Sequence, residues 1–224
     1  MNHKRLTLFD LDNTLLDGDS DYAWAQYLID RGILDGAEYA RRNEAYYADY
    51  LAGRLDIMEF LDFQLAPLAR HPLPDLFAWR SAFVAERIAP IMLPAAKKRV
   101  AECIAAGDLV AIITATNSFV TRPIADAFGV PHLIATEPEF RDGRYTGRVD
   151  GVPSFREGKL TRLNDWLAAQ GGRLDDFHET WFYSDSRNDL PLLQAVSNPV
   201  AIDPDPVLRE HATVAGWPQE SFRR

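Results

Sequence analysis

Two aspartates and a threonine stand at alternate positions directly after the first apolar run of the chain. That run, residues 6–9, is followed by Asp10, Asp12 and Thr14. Aspartates at alternate positions also occur in calcium loops, but an EF-hand needs a glycine sixth and a glutamate twelfth. Counted from Asp10, those places hold a leucine and an aspartate, so an EF-hand is excluded. A turn whose aspartates serve only for capping remains the plain alternative.

Polar side chains follow other apolar runs in the same way. Two further runs end at Thr114 and at Asp185, and Asp189 comes shortly after the second. Because the carboxyl ends of parallel strands meet at one crevice, residues far apart in sequence are expected to converge there. The sequence therefore predicts one site that contains Asp10, Thr114 and Asp185.

The elements that position these residues are short apolar runs separated by helical patterns. Runs with little alternation predict strands buried on both faces of a sheet; they cover residues 6–9, 109–113, 132–135, 180–183 and 198–202. Helical patterns cover residues 95–106, 118–128, 157–170 and 189–196. This alternation predicts an α/β fold, with a Rossmann-like three-layer α/β/α core around a parallel sheet.

One long segment breaks the alternation. Residues 16–87 show helical periodicity without a strand signal, so we expect an inserted all-helical cap there and a core made of residues 1–15 and 88–224. Downstream, Asp142-Gly143 between residues of strand type predicts a β-hairpin, because both turn positions need a positive φ.

Composition and charge narrow the class of protein. The 224 residues are 47% hydrophobic and 25% charged, which is ordinary for a globular chain. A net charge of −9 without a basic run argues against nucleic acid or an anionic membrane as partner. No apolar stretch approaches the roughly 20 residues of a membrane span, and residues 1–10 lack the apolar block of a signal peptide. The lone Cys103 favours a cytoplasmic location. Nothing indicates an oligomeric state.

The motifs resemble those of the haloacid dehalogenase superfamily nearly end to end. Asp10-Leu-Asp12-Asn-Thr14 looks like its first motif, Thr114 like its second, and Lys159 like its third. An accidental match at Lys159 is unlikely because the chain has only four lysines.

The segment Ser184-Asp185-Ser-Arg-Asn188-Asp189 is similar to the fourth motif. A helical insertion between the first two motifs resembles the phosphoserine-phosphatase-like branch. Ser184 and the pair Ala115-Thr116 stand where that branch often has glycine, and they keep those positions small.

The resemblance implies a Mg²⁺-dependent phosphomonoesterase that acts on a small-molecule phosphate ester through an aspartyl-phosphate. It implies that Asp10 is the nucleophile and that Asp12 is the general acid and base. The implied phosphate-binding residues are Thr114, Ala115, Lys159 and Asn188. The implied metal-binding residues are Asp10, Asp12 through its main-chain carbonyl, Asp185, and Asp189 behind them.

Substrate choice is expected to lie in the cap. In enzymes that resemble phosphoserine phosphatase, an acid nine positions after the nucleophile meets the substrate amine, and Asp19 stands there. Matching the family's cap without gaps onto Gly53-Arg54 places Asp62 where an arginine pairs the substrate carboxylate. A carboxylate at that place favours an amine-bearing ester without a carboxylate, with histidinol phosphate as the leading candidate.

Other interpretations stay open. Phosphoserine phosphatase activity survives if Arg54 or another arginine of the cap takes over the substrate carboxylate. The acidic run at Asp17, Asp19 and Asp21 favours an amine, but aspartates are also favoured at any helix N-terminus. A phosphotransferase would carry the same motifs. A catalytically silent scaffold of this fold is a different class, and it would be marked by loss of a key residue, whereas the chain keeps Asp10, Asp12 and Lys159.

Overall fold

The computed structural model describes residues 5–223, and a sheet of seven strands lies at the centre of this part of the chain. The strands are β1 (Arg5–Phe9), β2 (Leu109–Asn117), β3 (His132–Arg141), β4 (Arg144–Asp150), β5 (Glu179–Ser184), β6 (Asn198–Ile202) and β7 (Gln219–Glu220). Their order is β4-β3-β2-β1-β5-β6-β7. The pair β3–β4 is antiparallel, and all other neighbours are parallel. The predicted α/β fold is confirmed. The signal-peptide expectation and the start of the predicted core fall partly on residues 1–4, outside the described residues.

Helices cover both faces of the sheet. They are α5 (Pro94–Ala105), α6 (Ser118–Ala127), α7 (Glu157–Ala169), α8 (Leu190–Leu193) and α9 (Pro206–Ala215). Side chains of α5 and α6 pack with one face of the sheet, and those of α7, α8 and α9 pack with the other. Successive side chains of β1 point to opposite faces of the sheet, so Leu6 and Leu8 belong to one hydrophobic cluster and Phe9 belongs to the other.

The helix predicted at residues 189–196 is shorter in the structure. A 3₁₀ turn at Arg187–Asp189 precedes α8, and the Ser186 hydroxyl caps that turn by accepting from the Asn188 N–H at 3.2 Å. Pro191 then occupies the first turn of α8, where its missing N–H costs nothing.

The insertion between β1 and β2 is helical, as predicted. It contains α1 (Ser20–Asp30), α2 (Gly36–Ala52), α3 (Ile57–Arg70) and α4 (Leu73–Phe83), followed by a π turn at Val84–Ile88 and a 3₁₀ turn at Ala89–Ile91. The chain enters and leaves it side by side, because Asp17 N–H donates to the Ile91 carbonyl and Leu93 N–H to the Leu15 carbonyl. The division at residues 16–87 stays a prediction. No helix of residues 5–223 is long and apolar enough to cross a membrane.

The cap and the sheet share one hydrophobic cluster. Trp24 of α1 and Phe83 of α4 are buried with Phe119 of α6, and the Trp24 and Phe119 ring centroids lie 6.0 Å apart. The cap is therefore packed onto the core rather than attached through its connections alone.

The predicted hairpin joins β3 to β4, with positive φ at Asp142 and Gly143.

Gly147 allows the β4 backbone to approach α3 closely. Its φ is 81°, and a Cβ atom there would lie 3.2 Å from the Ala69 Cβ atom. We expect Gly147→Ala to lower the free energy of unfolding by about 2 to 3 kcal/mol, because it adds crowding to a strained φ. Gly143→Ala is the control, since Gly143 has φ 77° but no heavy atom within 4 Å of such a Cβ. Urea unfolding should show a loss of only about 1 kcal/mol for this control. Equal losses would contradict the close packing.

Candidate active site

A tight turn after β1 presents Asp10 and Asp12 to the crevice. The Asp10 N–H donates to the Tyr183 carbonyl at 2.9 Å, which continues the β1–β5 pairing by one residue. Asn13 then takes a left-handed φ of 57°, a conformation that asparagine tolerates better than most residues. The chain turns back so that the buried Thr14 hydroxyl lies 3.2 Å from Asp10 Oδ2.

Lys159 reaches the same crevice from the first turn of α7. Gly158 makes this placement possible, because a Cβ there would overlap the Pro153 carbonyl oxygen. The Lys159 Nζ atom donates to Asp10 Oδ1 at 2.7 Å and to Asp189 Oδ2 at 2.8 Å. Since Lys159 is only 3% exposed, these two carboxylates compensate its burial.

The end of β5 brings two more carboxylates to this place. Asp185 N–H donates to Thr14 Oγ1 at 3.0 Å, and that hydroxyl lies 3.1 Å from Asp185 Oδ1. Ser184, where the family often has glycine, donates from its hydroxyl to Asp189 Oδ2 at 2.7 Å. The structure therefore brings Asp10, Asp185 and Asp189 together, and the serine anchors one of them.

Asp12 is held by hydrogen bonds at both carboxylate oxygens. Its Oδ2 accepts from Thr116 Oγ1 at 2.8 Å and from Thr114 Oγ1 at 3.3 Å. Its Oδ1 accepts from the Ser20 N–H at 2.6 Å. The carboxyl group is therefore fixed in orientation between β2 and the start of α1.

The other residues predicted to bind phosphate lie around the same group of carboxylates. Thr114, Ala115 and Asn188 all line the cavity described below. Asn188 Oδ1 accepts from Arg156 Nε at 3.2 Å. Arg156 also donates to the Gly53 carbonyl of the cap at 2.5 Å, which links the cap to the floor.

Negative charge in the crevice exceeds the single positive charge of Lys159. Burial, then Asp189 and Asp12, raise the pKa of Asp10 to about 7, although Lys159 opposes them. Burial, Asp10 and Asp189 raise the pKa of Asp185 well above its usual range. Burial lowers the pKa of Lys159, but the two adjacent carboxylates outweigh it and raise that pKa overall. Lys159 therefore stays an ammonium ion.

Mg²⁺ fits this acidic donor set. It prefers oxygen ligands and typically takes one or two carboxylates together with waters and phosphate. Asp10 Oδ2 and Asp185 Oδ1 lie within 3.2 Å and 3.1 Å of the same Thr14 hydroxyl. Within residues 5–223, no group of three or more His, Cys, Asp or Glu side chains is arranged so that it could hold a metal ion by itself.

A cavity of about 630 Å³, including space open to solvent, lies between the strand ends and the cap. Carboxylates line it from floor to cap, and they are Asp10, Asp12, Asp19, Asp21 and Asp189. Aromatic side chains form the cap wall, namely Tyr22, Tyr46, Tyr47, Tyr50, Phe60 and, from the core, Phe155. Among the described residues that line it, Lys159 is the single cation. Trp24, by contrast, lies in the buried core.

Asp19 both caps α1 and lines the cavity. Its carboxylate caps α1 by accepting from the Tyr22 N–H at 2.8 Å, and the residue also lines the cavity. Burial and the charge of Asp12 raise the pKa of Asp19 to about 7. The neighbouring Asp17 is exposed and pairs with Arg223 at 2.7 Å, so it contributes nothing to the cavity.

The structure does not bring the predicted cap residues Asp62 and Arg54 to the cavity. Asp62 is exposed and lies outside the cavity, which α3 lines instead with Phe60 and Gln64. The helical period explains this, because Asp62 falls on another face of α3. The Arg54 side chain is 69% exposed and pairs with Asp49 at 2.7 Å.

Sequence reasoning missed several residues around the cavity. Thr116 was predictable, because alternate residues of a strand share a face and Thr114 had already been placed at the site. Arg156, Asn43 and Gln64 left no such signal, since their positions depend on how the cap helices pack.

The chain belongs to the haloacid dehalogenase-like hydrolases, whose family profile matches residues 7–194. Within this family it is a phosphatase of the phosphoserine-phosphatase-like branch.

Individual proteins are similar to this chain over nearly its whole length. A histidinol-phosphatase of Neisseria meningitidis serogroup C (strain 8013) is 48% identical over 98% of this chain and 100% of its own length. The crystal structure of a protein of unknown function from Bordetella pertussis Tohama I covers 99% of this chain and 100% of its own, at 52% identity and a TM-score of 0.94. A phospho-aspartyl intermediate analogue of phosphoserine phosphatase shares the fold, with a TM-score of 0.70 at 20% identity over 100% of this chain and 95% of its own.

The exposed positions of Arg54 and Asp62 give a direct test of the cavity. We expect Arg54→Ala and Asp62→Asn to keep kcat/KM for any substrate within about twofold of the wild type, because neither side chain reaches the bound ester. Steady-state kinetics with the purified variants measures this. A loss of about tenfold or more in either variant would mean that the cap meets substrate through another face.

Proposed function

We propose that the protein hydrolyses a small amine-bearing phosphate ester through an aspartyl-phosphate on Asp10, with histidinol phosphate as the leading candidate. The observation that carries the proposal is the charge distribution of one cavity. Lys159 lies beside Asp10, and Asp19 and Asp21 lie toward the cap, where the described residues that line the cavity include no cation. The phosphate group would bind at the Lys159 end of the cavity, and a cationic alcohol group would bind at the carboxylates near the cap. In this proposal residues 16–87 form the specificity cap.

In the first step, a carboxylate oxygen of Asp10 attacks phosphorus as the ester P–O bond breaks. Asp12 gives its proton to the leaving alkoxide, and general acid help of this kind is worth about 10²–10⁴ in rate. The hydroxyls of Thr114 and Thr116 hold Asp12 in place for this transfer. The products of the step are a free alcohol and phosphorylated Asp10.

In the second step, Asp12 takes a proton from a water molecule, whose oxygen attacks the same phosphorus. The bond between Asp10 and phosphorus breaks, inorganic phosphate leaves, and Asp12 is again protonated. Because the general base of this step is the general acid of the first, one cycle restores both residues.

Positive charge must offset the repulsion between the Asp10 carboxylate and a phosphate dianion. Lys159 supplies part of it at 2.7 Å from Asp10, and Thr114 and Asn188 line the place where the phosphoryl oxygens would lie. Asp10, Asp185 and the Asp12 main-chain carbonyl would hold Mg²⁺, with Asp189 behind them. When bound, this ion supplies further charge neutralisation at the phosphoryl group.

Removal of divalent cations tests the metal part of the proposal. Activity on an aryl phosphate should be lost in excess chelator and return with Mg²⁺, because the carboxylates repel the substrate without a cation. Mg²⁺ should also raise the thermal unfolding midpoint of the wild type, and Asp185→Asn should reduce that rise. Full activity after verified metal removal would contradict the assignment.

Substitution of the two aspartates separates their roles. Asp10→Asn should abolish turnover, because the amide is a poor nucleophile, whereas Asp12→Asn should lower kcat by about 10²–10⁴. Steady-state rates measure both, and mass spectrometry excludes deamidation of the variants. Near wild-type turnover by a verified Asp10→Asn enzyme would refute the mechanism.

The charged residues that line the cavity support the substrate assignment. Among the described lining residues no arginine is present to pair a substrate carboxylate, and the lining residue Asp19 would meet the amine. A carboxylate buried without a partner would be costly. The neisserial relative, a histidinol-phosphatase at 48% identity, supports the same choice.

A comparison of two amine-bearing esters tests this assignment. We expect kcat/KM for histidinol phosphate to exceed that for L-phosphoserine by about tenfold or more, because only the second brings a carboxylate into an acidic cavity. Phosphate release, measured with saturating Mg²⁺, gives both values. A preference of that size for L-phosphoserine would overturn the assignment and leave the phosphatase mechanism standing.

A further inference from the structure

Asp21 is a buried carboxylate of the cap that the mechanism does not use. It is 6% exposed, lines the cavity, and its Oδ1 atom has no hydrogen-bond partner among residues 5–223. It takes part in none of the ion pairs formed within that part of the chain. Because a buried carboxylate is costly without compensation, a partner from outside the chain is expected.

The amide groups around Asp21 are bonded to other atoms. Gln64 Nε2 donates to the main-chain carbonyl of Asp21 and to Asn43 Oδ1, both at 3.4 Å. Asn43 Nδ2 donates to the Tyr22 carbonyl at 3.2 Å. These bonds hold α1, α2 and α3 around the carboxylate, and they leave the carboxylate itself to a ligand.

The start of α1 carries the two cap carboxylates that line the cavity, Asp19 and Asp21. Ser20 N–H is bonded to Asp12 Oδ1, so α1 begins beside the general acid. Asp19 caps the helix there, and Asp21 follows inside its first turn. The rings of Tyr22 and Tyr47 line the same cavity as Asp21, with their centroids 5.1 Å apart.

We propose that Asp21 is a specificity-determining residue that binds an imidazole-like ring of the substrate alcohol, while Asp19 binds the amine nearer the phosphate. This inference rests on the proposed phosphomonoesterase function. A carboxylate accepts a ring N–H and stabilises an imidazolium ion. Tyrosine faces can stack on such a ring, and the pair of carboxylates matches an alcohol with two basic nitrogen groups.

The test compares two esters that differ only in the ring: histidinol phosphate and 2-aminopropyl phosphate. Asp21→Asn should reduce the ratio of their kcat/KM values by about tenfold or more, mainly through KM for histidinol phosphate. Asp21→Glu keeps the charge and should retain more of the ratio. Asp19→Asn should impair both esters together. Asp62→Asn, the same substitution at an exposed cap position, should leave the ratio unchanged.

A second readout does not depend on turnover of either ester. L-histidinol should inhibit hydrolysis of an aryl phosphate, and Asp21→Asn should raise its inhibition constant by about tenfold or more. An unchanged ester ratio together with an unchanged inhibition constant would overturn the role of Asp21. So would an equal loss for both esters, which marks a structural role. If the wild type turns over neither ester, the proposed substrate fails, and the inhibition constants still decide whether Asp21 binds the ring.

Discussion

The ammonium group of Lys159, held between Asp10 and Asp189, is the interaction on which the crevice depends. Several carboxylates meet at the ends of β1 and β5, and in a buried place they would repel one another. Lys159, which donates to Asp10 at 2.7 Å and to Asp189 at 2.8 Å, reduces this repulsion. Its single positive charge does not neutralise all of the carboxylates. The remaining negative charge is the physical reason that the site matches a divalent cation together with a phosphate group.

The same constraint explains local details of the backbone. Lys159 can enter the crevice only if the first turn of α7 lies against Pro153, and Gly158 permits this approach. Thr14 connects the carboxylates of Asp10 and Asp185 through one hydroxyl. The motif residues are therefore a set of mutually dependent contacts, in which each side chain limits the conformations open to the others.

Much of this could be predicted from local sequence patterns. The strands that carry Asp10, Thr114 and Asp185 were visible as apolar runs, and parallel topology made their ends converge. The start of α9 is marked in the sequence by Asp205-Pro206, a cap residue followed by proline.

The cap was less predictable because its geometry is decided by packing between helices. Family spacing carried across α2 and α3 placed Asp62 in the cavity, whereas the packed face of α3 presents Phe60 and Gln64. Asp19 and Asp21 do line the cavity, because they lie at the start of α1, close in sequence to the turn that holds Asp12. Positions next to that turn are therefore easier to place from sequence than positions on the helices that follow.

The most direct test of the account is the site of covalent phosphorylation. Wild-type enzyme mixed with Mg²⁺ and substrate, quenched in acid and digested, should carry one phosphoryl group on the peptide that contains Asp10. Asp12→Asn should accumulate at least as large a phosphorylated fraction if its second step is slowed more than its first, and Asp10→Asn should carry none. A phosphoryl group on another residue, or turnover without any phosphorylated enzyme under conditions that preserve acyl phosphates, would contradict the central role of Asp10.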